Sequence, residues 1–290
     1  MHHATWVSDP VARHLDEFSK SIGPWREDPT CLGALSHAKE GKGFREGLWN
    51  AHQENKRALC AIFDRWKIRE DVLTIAWARR FAGYKRPDMI LHNIPRLLDV
   101  AKKVGELQIF LAGKAHPNDK IGFAAVNEIL NRIDELEKHK GLVRVIMLDN
   151  YDTYWAKLLA SSVDIWLNNP LPPFEASGTS GMKAIANGVL QVSTLDGWVV
   201  EAADQGIGKI FGYRPKKGEI GDEHDLRMQE DTRALYDTLE EIGKIYADSR
   251  NAGSGDPKNQ WVNMMIQCLA QSGFFNTHRM VREYQTKVWR

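Results

Sequence analysis

Three stretches of this sequence gather side chains suited to holding phosphate. The first is Arg79-Arg80-Phe81-Ala82-Gly83-Tyr84-Lys85-Arg86-Pro87, with four cations in eight residues. Arginine presents a planar fork and lysine a point charge, and both match phosphate oxygens. The second is Gly113-Lys114-Ala115-His116-Pro117-Asn118-Asp119, where Lys114 and His116 stand among residues that also build an ordinary turn. The third is Glu175-Ala176-Ser177-Gly178-Thr179-Ser180-Gly181-Met182-Lys183, approached through Pro170, Pro172 and Pro173. Its hydroxyls, glycines and backbone N–H groups, set ahead of a helix opening at Gly181, make an anion cradle. Glu175 is suited to accept hydrogen bonds from hydroxyls such as a sugar's. Lys183 falls in the first turn of that helix, where the dipole disfavours a cation. It is therefore expected to have another task, such as forming a Schiff base with a carbonyl cofactor. The spacing is not that of a P-loop.

Each stretch follows an apolar run. Residues 72–77, 107–112, 143–148, 164–168 and 189–194 read as strands. Helical patterns cover 89–104, 120–140 and 151–162, and another begins at 181. This alternation predicts an α/β fold with a Rossmann-like parallel sheet and helices on both faces. Ligands bind beyond the carboxyl ends of such strands, where all three stretches fall. Residues 11–66 read as helical, with Phe44, Leu48, Ala51, Asn55, Leu59, Ile62 and Phe63 at helical spacing. Further helices are expected over 235–247, 261–270 and 277–289. The organisation expected is a helical segment over 1–70 packing on the sheet, an α/β core over 71–220, and closing helices over 221–290.

The 290 residues include 39 basic and 38 acidic side chains, a net charge of +1. That balance creates no global field for nucleic acid or an anionic membrane, so any anion must be held locally. Cys31, Cys60 and Cys268 are dispersed, which fits a reducing cytoplasm and neither a disulfide framework nor a zinc site. No metal-ligand cluster is expected. No apolar run approaches the ~20 residues of a membrane helix, and the first residues lack the apolar core of a secretory signal. His52, His139 and His224 receive no role, and Trp49, Trp66 and Trp198 read as packing residues rather than sugar-stacking ones.

Taken together, these words resemble the α-glucan (glycogen, starch, maltodextrin) phosphorylases. The segment from Glu175 to Lys183 is similar to the family's pyridoxal-phosphate segment, followed by Asn187-Gly188, Leu195-Asp196-Gly197 and Glu201. Arg79-Arg80-Phe81-Ala82-Gly83-Tyr84-Lys85-Arg86 resembles the substrate-phosphate motif. Gln53-Glu54-Asn55-Lys56, Gly113-Lys114-Ala115, Asn150-Tyr151 and Ile210-Phe211-Gly212 match further landmarks, in order, over residues 49–214.

The resemblance implies the C-terminal lobe of a GT-B type enzyme with two Rossmann-like lobes. Lys183 would hold pyridoxal 5'-phosphate as a Schiff base. Thr179, the backbone of Ser180, and Arg79 would contact the cofactor phosphate, with Tyr151 near the pyridine ring. Arg80 and Lys85 would bind the substrate phosphate, and Glu175 with the backbone of Ser177 and Gly178 would hold glucose hydroxyls. Lys183, Arg80 and Lys85 are the residues on which catalysis would rest. Asp152 stands where many members carry arginine. The implied reaction is reversible phosphorolysis of an α-1,4-glucan by orthophosphate to glucose 1-phosphate, with retention. An N-terminal lobe would form the other wall of the cleft, and no activity is expected of this chain without it. The C-terminal helices are expected to pack toward that lobe and, in its absence, to favour self-association. Two other readings start from the same residues: a nucleotide-sugar glycosyltransferase lobe without the cofactor, and a non-catalytic glucan-binding or regulatory module.

Overall fold

The computed structural model describes residues 3–36, 41–139, 141–214 and 224–289. Among them, six parallel strands form one sheet: β1 (Leu73–Ala78), β2 (Leu107–Ala112), β3 (Val143–Leu148), β4 (Ile165–Asn168), β5 (Leu190–Thr194) and β6 (Gly208–Phe211). Their spatial order is β3-β2-β1-β4-β5-β6. Before the sheet come α1 (Asp9–Glu17), α2 (Ser19–Ile22) and α3 (Lys42–Ile62). Between the strands run α4 (Ile94–Val104), α5 (Lys120–Glu137), α6 (Thr153–Ser162), α7 (Thr179–Ile185) and α8 (Val199–Ala202). The chain closes with α9 (His224–Ala252), α10 (Gln260–Ser272) and α11 (Thr277–Lys287). This is the α/β Rossmann-like architecture that the alternating pattern predicts.

Every residue of β1, β2, β4 and β5 is buried, as strands covered on both faces must be. Alternate side chains enter separate cores. Ile75, Trp77, Ile109 and Leu111 join one, and Ala76, Ala78, Phe110 and Ala112 the other. The sixth strand was not legible. Gly208-Lys209-Ile210-Phe211 is short, begins at a glycine with φ +142°, and buries only Phe211 fully.

Several boundaries differ for local reasons. The pattern over 89–104 is broken, because Asn93 accepts a hydrogen bond from the Arg96 N–H and Pro95 follows, so α4 starts at Ile94. Helix α5 ends at Glu137, and Lys140 lies outside the described residues. Helix α6 begins after Asp152, whose carboxylate accepts from the Trp155 N–H at 3.1 Å. An acid at that position thus has a capping role. The expected boundary at 220 falls in 215–223, outside the described residues.

Helix α3 also differs from its apolar reading. Ile62 is 41% exposed, whereas His52 and Lys56 are buried against Asp164, the residue just before β4. Asp164 accepts from His52 Nε2, the Lys56 ammonium and the Thr74 N–H, and Lys56 also donates to Tyr246 on α9. His52 therefore has a structural role that sequence reading denied it. His139 is exposed, and the side chain of His224 lies outside the described residues. Trp198 is buried, Trp49 is half-buried and Trp66 is 46% exposed. Among the described residues no helix is long and apolar enough to cross a membrane. On α11, Met280, Val281 and Tyr284 are exposed, with Val288 and Trp289 just beyond it.

Candidate functional site

The strand order turns at β1, which pairs with β2 on one side and β4 on the other. Such a switch point opens a crevice between the loops that follow the two strands. Here those loops are residues 79–86 and 169–178, the two strongest phosphate-binding stretches in the sequence.

Backbone geometry fixes the first loop. The Arg79 N–H donates to Ala112 O and the Phe81 N–H to Lys114 O, so the chain runs on beside the end of β2. Gly113 permits this, since a Cβ there would lie 2.0 Å from Arg79 O. A 3-10 turn, Gly83–Lys85, then presents Lys85, and Arg86 follows at φ +49°. Arg86 is almost fully buried. It donates to Asn169 O at 2.9 Å, Pro170 O at 2.9 Å and Asp231 Oδ2 at 2.6 Å, joining both loops to α9. Leu171 N–H donates to Tyr84 O at 2.7 Å and adds a direct stitch between the loops.

The second loop is held from β5's side. Glu175 N–H donates to Asp196 Oδ2 at 2.9 Å, and Trp198 N–H to Ser177 O at 2.9 Å. Gly197 has φ +58°, and a Cβ there would sit 2.3 Å from Ser177 O. Burial raises the pKa of Asp196, opposed by the N–H bonds from Glu175 and Gly197. Gly178, at φ +81°, leads into α7.

Between the loops, Glu175 Oε2 accepts from Arg79 Nη2 at 2.9 Å and from Lys85 Nζ at 2.7 Å. All three side chains are nine-tenths buried or more. Burial pulls the Arg79 pKa down, with Glu175 opposing; a guanidinium stays charged even so. Arg79 Nε and Nη1 are buried without a partner among the described residues. An orphaned charged donor of this kind is costly unless something binds it.

Lys183 faces the same cleft. Because Gly178 caps α7 and the helix starts at Thr179, two residues before Gly181, Lys183 lies in the last turn, not the first. The dipole argument for its unusual role therefore fails. What perturbs it is burial, which lowers its pKa. Its Nζ lies 3.7 Å from the centre of the Trp6 ring. Trp6 is pinned by Asn187, whose Nδ2 donates to Trp6 O and whose Oδ1 accepts from the Ser8 N–H. Sequence reading gave Trp6 no role, because its distance from Lys183 along the chain conceals the contact.

The cleft, about 650 Å³, is lined by Arg79, Lys85, Tyr151, Glu175, Ser177, Gly178, Thr179, Ser180 and Lys183, with Trp6 and Asp152 among the others. Burial pushes the Tyr151 hydroxyl up to about 12. Ser180 Oγ also accepts from Trp166 Nε1 at 3.4 Å. Of the residues to which the resemblance gave a role, Arg80 alone is not in this lining. It is exposed and makes no hydrogen bond or ion pair with the described residues. Lys114 and His116 are exposed outside the cleft, and His116 Nδ1 accepts from the Asn118 N–H within its own turn. A larger hollow of about 810 Å³, lined by Tyr84, Ile121, Leu171, Phe174 and Met228 among others, is mostly apolar and lacks this convergence of cations.

Comparison with known proteins points to one family. A family model described as carbohydrate phosphorylase matches residues 5–252. The whole chain is similar to glycogen phosphorylase of Aquifex aeolicus, at 33% identity over 43% of that protein, and to maltodextrin phosphorylase of Thermococcus litoralis, at 33% over 35%. Glycogen phosphorylase of Mycobacterium tuberculosis is 37% identical over 74% of the chain and 24% of its own length. The chain thus spans less than half the length of these relatives. Their similarity and the switch-point cleft together assign this chain to the carbohydrate phosphorylase family.

Proposed function

We propose that this chain is the cofactor- and phosphate-binding half of an α-1,4-glucan phosphorylase of GT-B type. The reaction moves a terminal glucosyl unit to orthophosphate with retention, giving glucose 1-phosphate. The observation that carries this reading is the convergence of Arg79 and Lys85 on Glu175 in a cleft that also holds Lys183. The substrate class follows the names of the relatives, glycogen and maltodextrin phosphorylase.

The cleft fits pyridoxal 5'-phosphate. Lys183 is half-buried with its pKa lowered, so its amine is readier to meet an aldehyde. The unpartnered Nε and Nη1 of Arg79 are donors for a phosphate, and Thr179 and Ser180 line the same space. Trp6 and Tyr151 supply aromatic lining for a planar ring. When bound, the cofactor supplies a phosphate able to exchange a proton with orthophosphate. Lys85, joined by Arg80 from outside the present lining, neutralises the substrate phosphate. Glu175 and the backbone of Ser177 and Gly178 orient the sugar through its hydroxyls.

These charges act most strongly in a closed, water-poor site. The cleft is open to solvent, and the chain spans less than half the length of its relatives. An N-terminal lobe therefore completes it, in the cytoplasm, and the chain alone is inactive. The test is to load the purified chain with pyridoxal phosphate, then add the matching lobe. Cofactor absorbance that Lys183→Ala abolishes, and glucose 1-phosphate release only with both lobes, are expected. Release from maltoheptaose and phosphate by this chain alone would refute the need for a second lobe. Tight nucleoside diphosphate binding without aldehyde chemistry would replace the phosphorylase reading with a nucleotide-sugar transferase.

A further inference from the structure

We infer that a small hollow between α3 and the end of α9 binds a glucosyl unit of an α-glucan, at the opposite edge of the sheet from the cleft. The fit to a saccharide is read from the hollow itself; its assignment to an α-glucan rests on the function proposed above.

The hollow, about 180 Å³, is lined by Trp49, Gln53, Ser249, Arg250 and Ser254. At ~30 Å³ per water it has room for about six waters, or for one pyranose ring. Trp49 and Gln53 stand one turn apart on α3 and so share a face. The Gln53 amide makes no hydrogen bond among the described residues, and its Nε2 is buried. The side chains that follow it are all committed: Glu54 to Arg13, Asn55 to Ser8 and Lys56 to Asp164. A buried amide donor without a partner costs stability, and this amide is held by nothing and free to turn toward one. The Trp49 indole N–H and the Ser254 hydroxyl are likewise unbonded among the described residues. Ser249 Oγ accepts from the Trp261 N–H and keeps its own proton to donate. Arg250 is exposed and anchored through Nη1 to Asp71 O.

These groups share uncommitted hydrogen-bonding capacity beside an aromatic ring. A pyranose has the matching surface, with C–H faces that pack on an indole and hydroxyls that both donate and accept. A small anion would leave the indole unused. An apolar ligand would bury the amide and hydroxyls unpaired. Ser249 also lines a second hollow, of about 220 Å³, with Asp248, Lys258, Asn259 and Gln260. Two polar hollows that share a residue suit a chain of sugars better than a single one. This gives Trp49 the stacking role that sequence reading denied it.

The placement separates the hollow from the chemistry. Arg250 reaches Asp71, ahead of β1, and Gln53's neighbour His52 bonds Asp164, ahead of β4. The hollow therefore lies toward the amino ends of the strands, whereas the cleft lies beyond their carboxyl ends. It holds polymer without touching the reacting bond.

The test is native electrophoresis of the chain in gels containing glycogen, where retardation gives a dissociation constant. The wild type is expected to be retarded, and Lys85→Met, which disables the cleft, equally so. Trp49→Ala is expected to bind about tenfold more weakly, and Trp49→Tyr, which keeps a ring, to recover most of the loss. Gln53→Leu separates binding from architecture: it should weaken binding several-fold while leaving the melting temperature unchanged or raised, because it removes an unpaired donor. Retardation of Trp49→Ala or Gln53→Leu equal to wild type overturns the inference. So does retardation lost in Lys85→Met, which would put the glycogen in the cleft. A wild type that glycogen does not retard also overturns it, and leaves the cleft's own test with pyridoxal phosphate standing. Retardation that depends on Trp49, in a chain without aldehyde chemistry at Lys183, keeps the saccharide site and removes the phosphorylase reading.

Discussion

The Arg86–Asp231 pair offers a stringent test of how the cleft is held. Asp231 uses both oxygens on donors: Oδ2 accepts from Arg86 Nη1 at 2.6 Å and Oδ1 from the Tyr213 N–H at 2.7 Å. Both charged side chains are 1% exposed or less. In Asp231→Asn, either orientation of the amide turns an NH₂ toward one of those donors. The Arg86 guanidinium also loses its only salt-bridge partner among the described residues. Breaking a buried pair from one side costs about 3–5 kcal/mol. At about 2–4 °C per kcal/mol, the melting temperature falls by about 6–20 °C. Urea unfolding gives the free energy directly, and the slope reports whether the transition stays two-state. The double variant Arg86→Met/Asp231→Leu should lose less than either single change, because it leaves no stranded charge. An Asp231→Asn chain within about 1 kcal/mol of wild type would refute this account, as would a double variant that is simply additive.

Two further outcomes follow from the same reasoning. His14 lies against the Phe18 and Phe44 rings with Nε2 unpartnered among the described residues, and burial lowers its pKa from 6.5 to about 4. The unfolded chain binds the extra proton in that window, so stability falls as pH drops from 6.5 to about 4, by up to about 3 kcal/mol. Denaturation series across that range should show the decline, and His14→Leu should flatten it. Gly197→Ala would force a Cβ to 2.3 Å from Ser177 O at φ +58°. The expected cost is on the order of 1–3 kcal/mol, with weaker phosphate binding, because the loop carrying Glu175 must shift; unchanged phosphate titration would contradict that coupling.

The sequence by itself determined the fold class, since buried parallel strands leave apolar runs and helices leave a longer period. It also named most of the side chains that line the cleft, because a loop suited to phosphate is built from small, hydroxylated and cationic residues, though Arg80, Lys114 and His116 lie outside that lining and Trp6 was missed. Local pattern says nothing of a group's distant partner. That β1 lies beside β4, and so brings Arg79 and Lys85 to Glu175 across 96 and 90 residues, is a property of strand order. The same holds for Trp6 over Lys183, and for His52, which received no role from sequence, and Lys56, both buried on Asp164. Lys183 marks the division most clearly. Its identity was legible, but its turn of the helix was set by Gly178's backbone, and its lowered pKa by burial. Tertiary structure alone decided these, because burial and charge proximity act through space and leave no period in the chain.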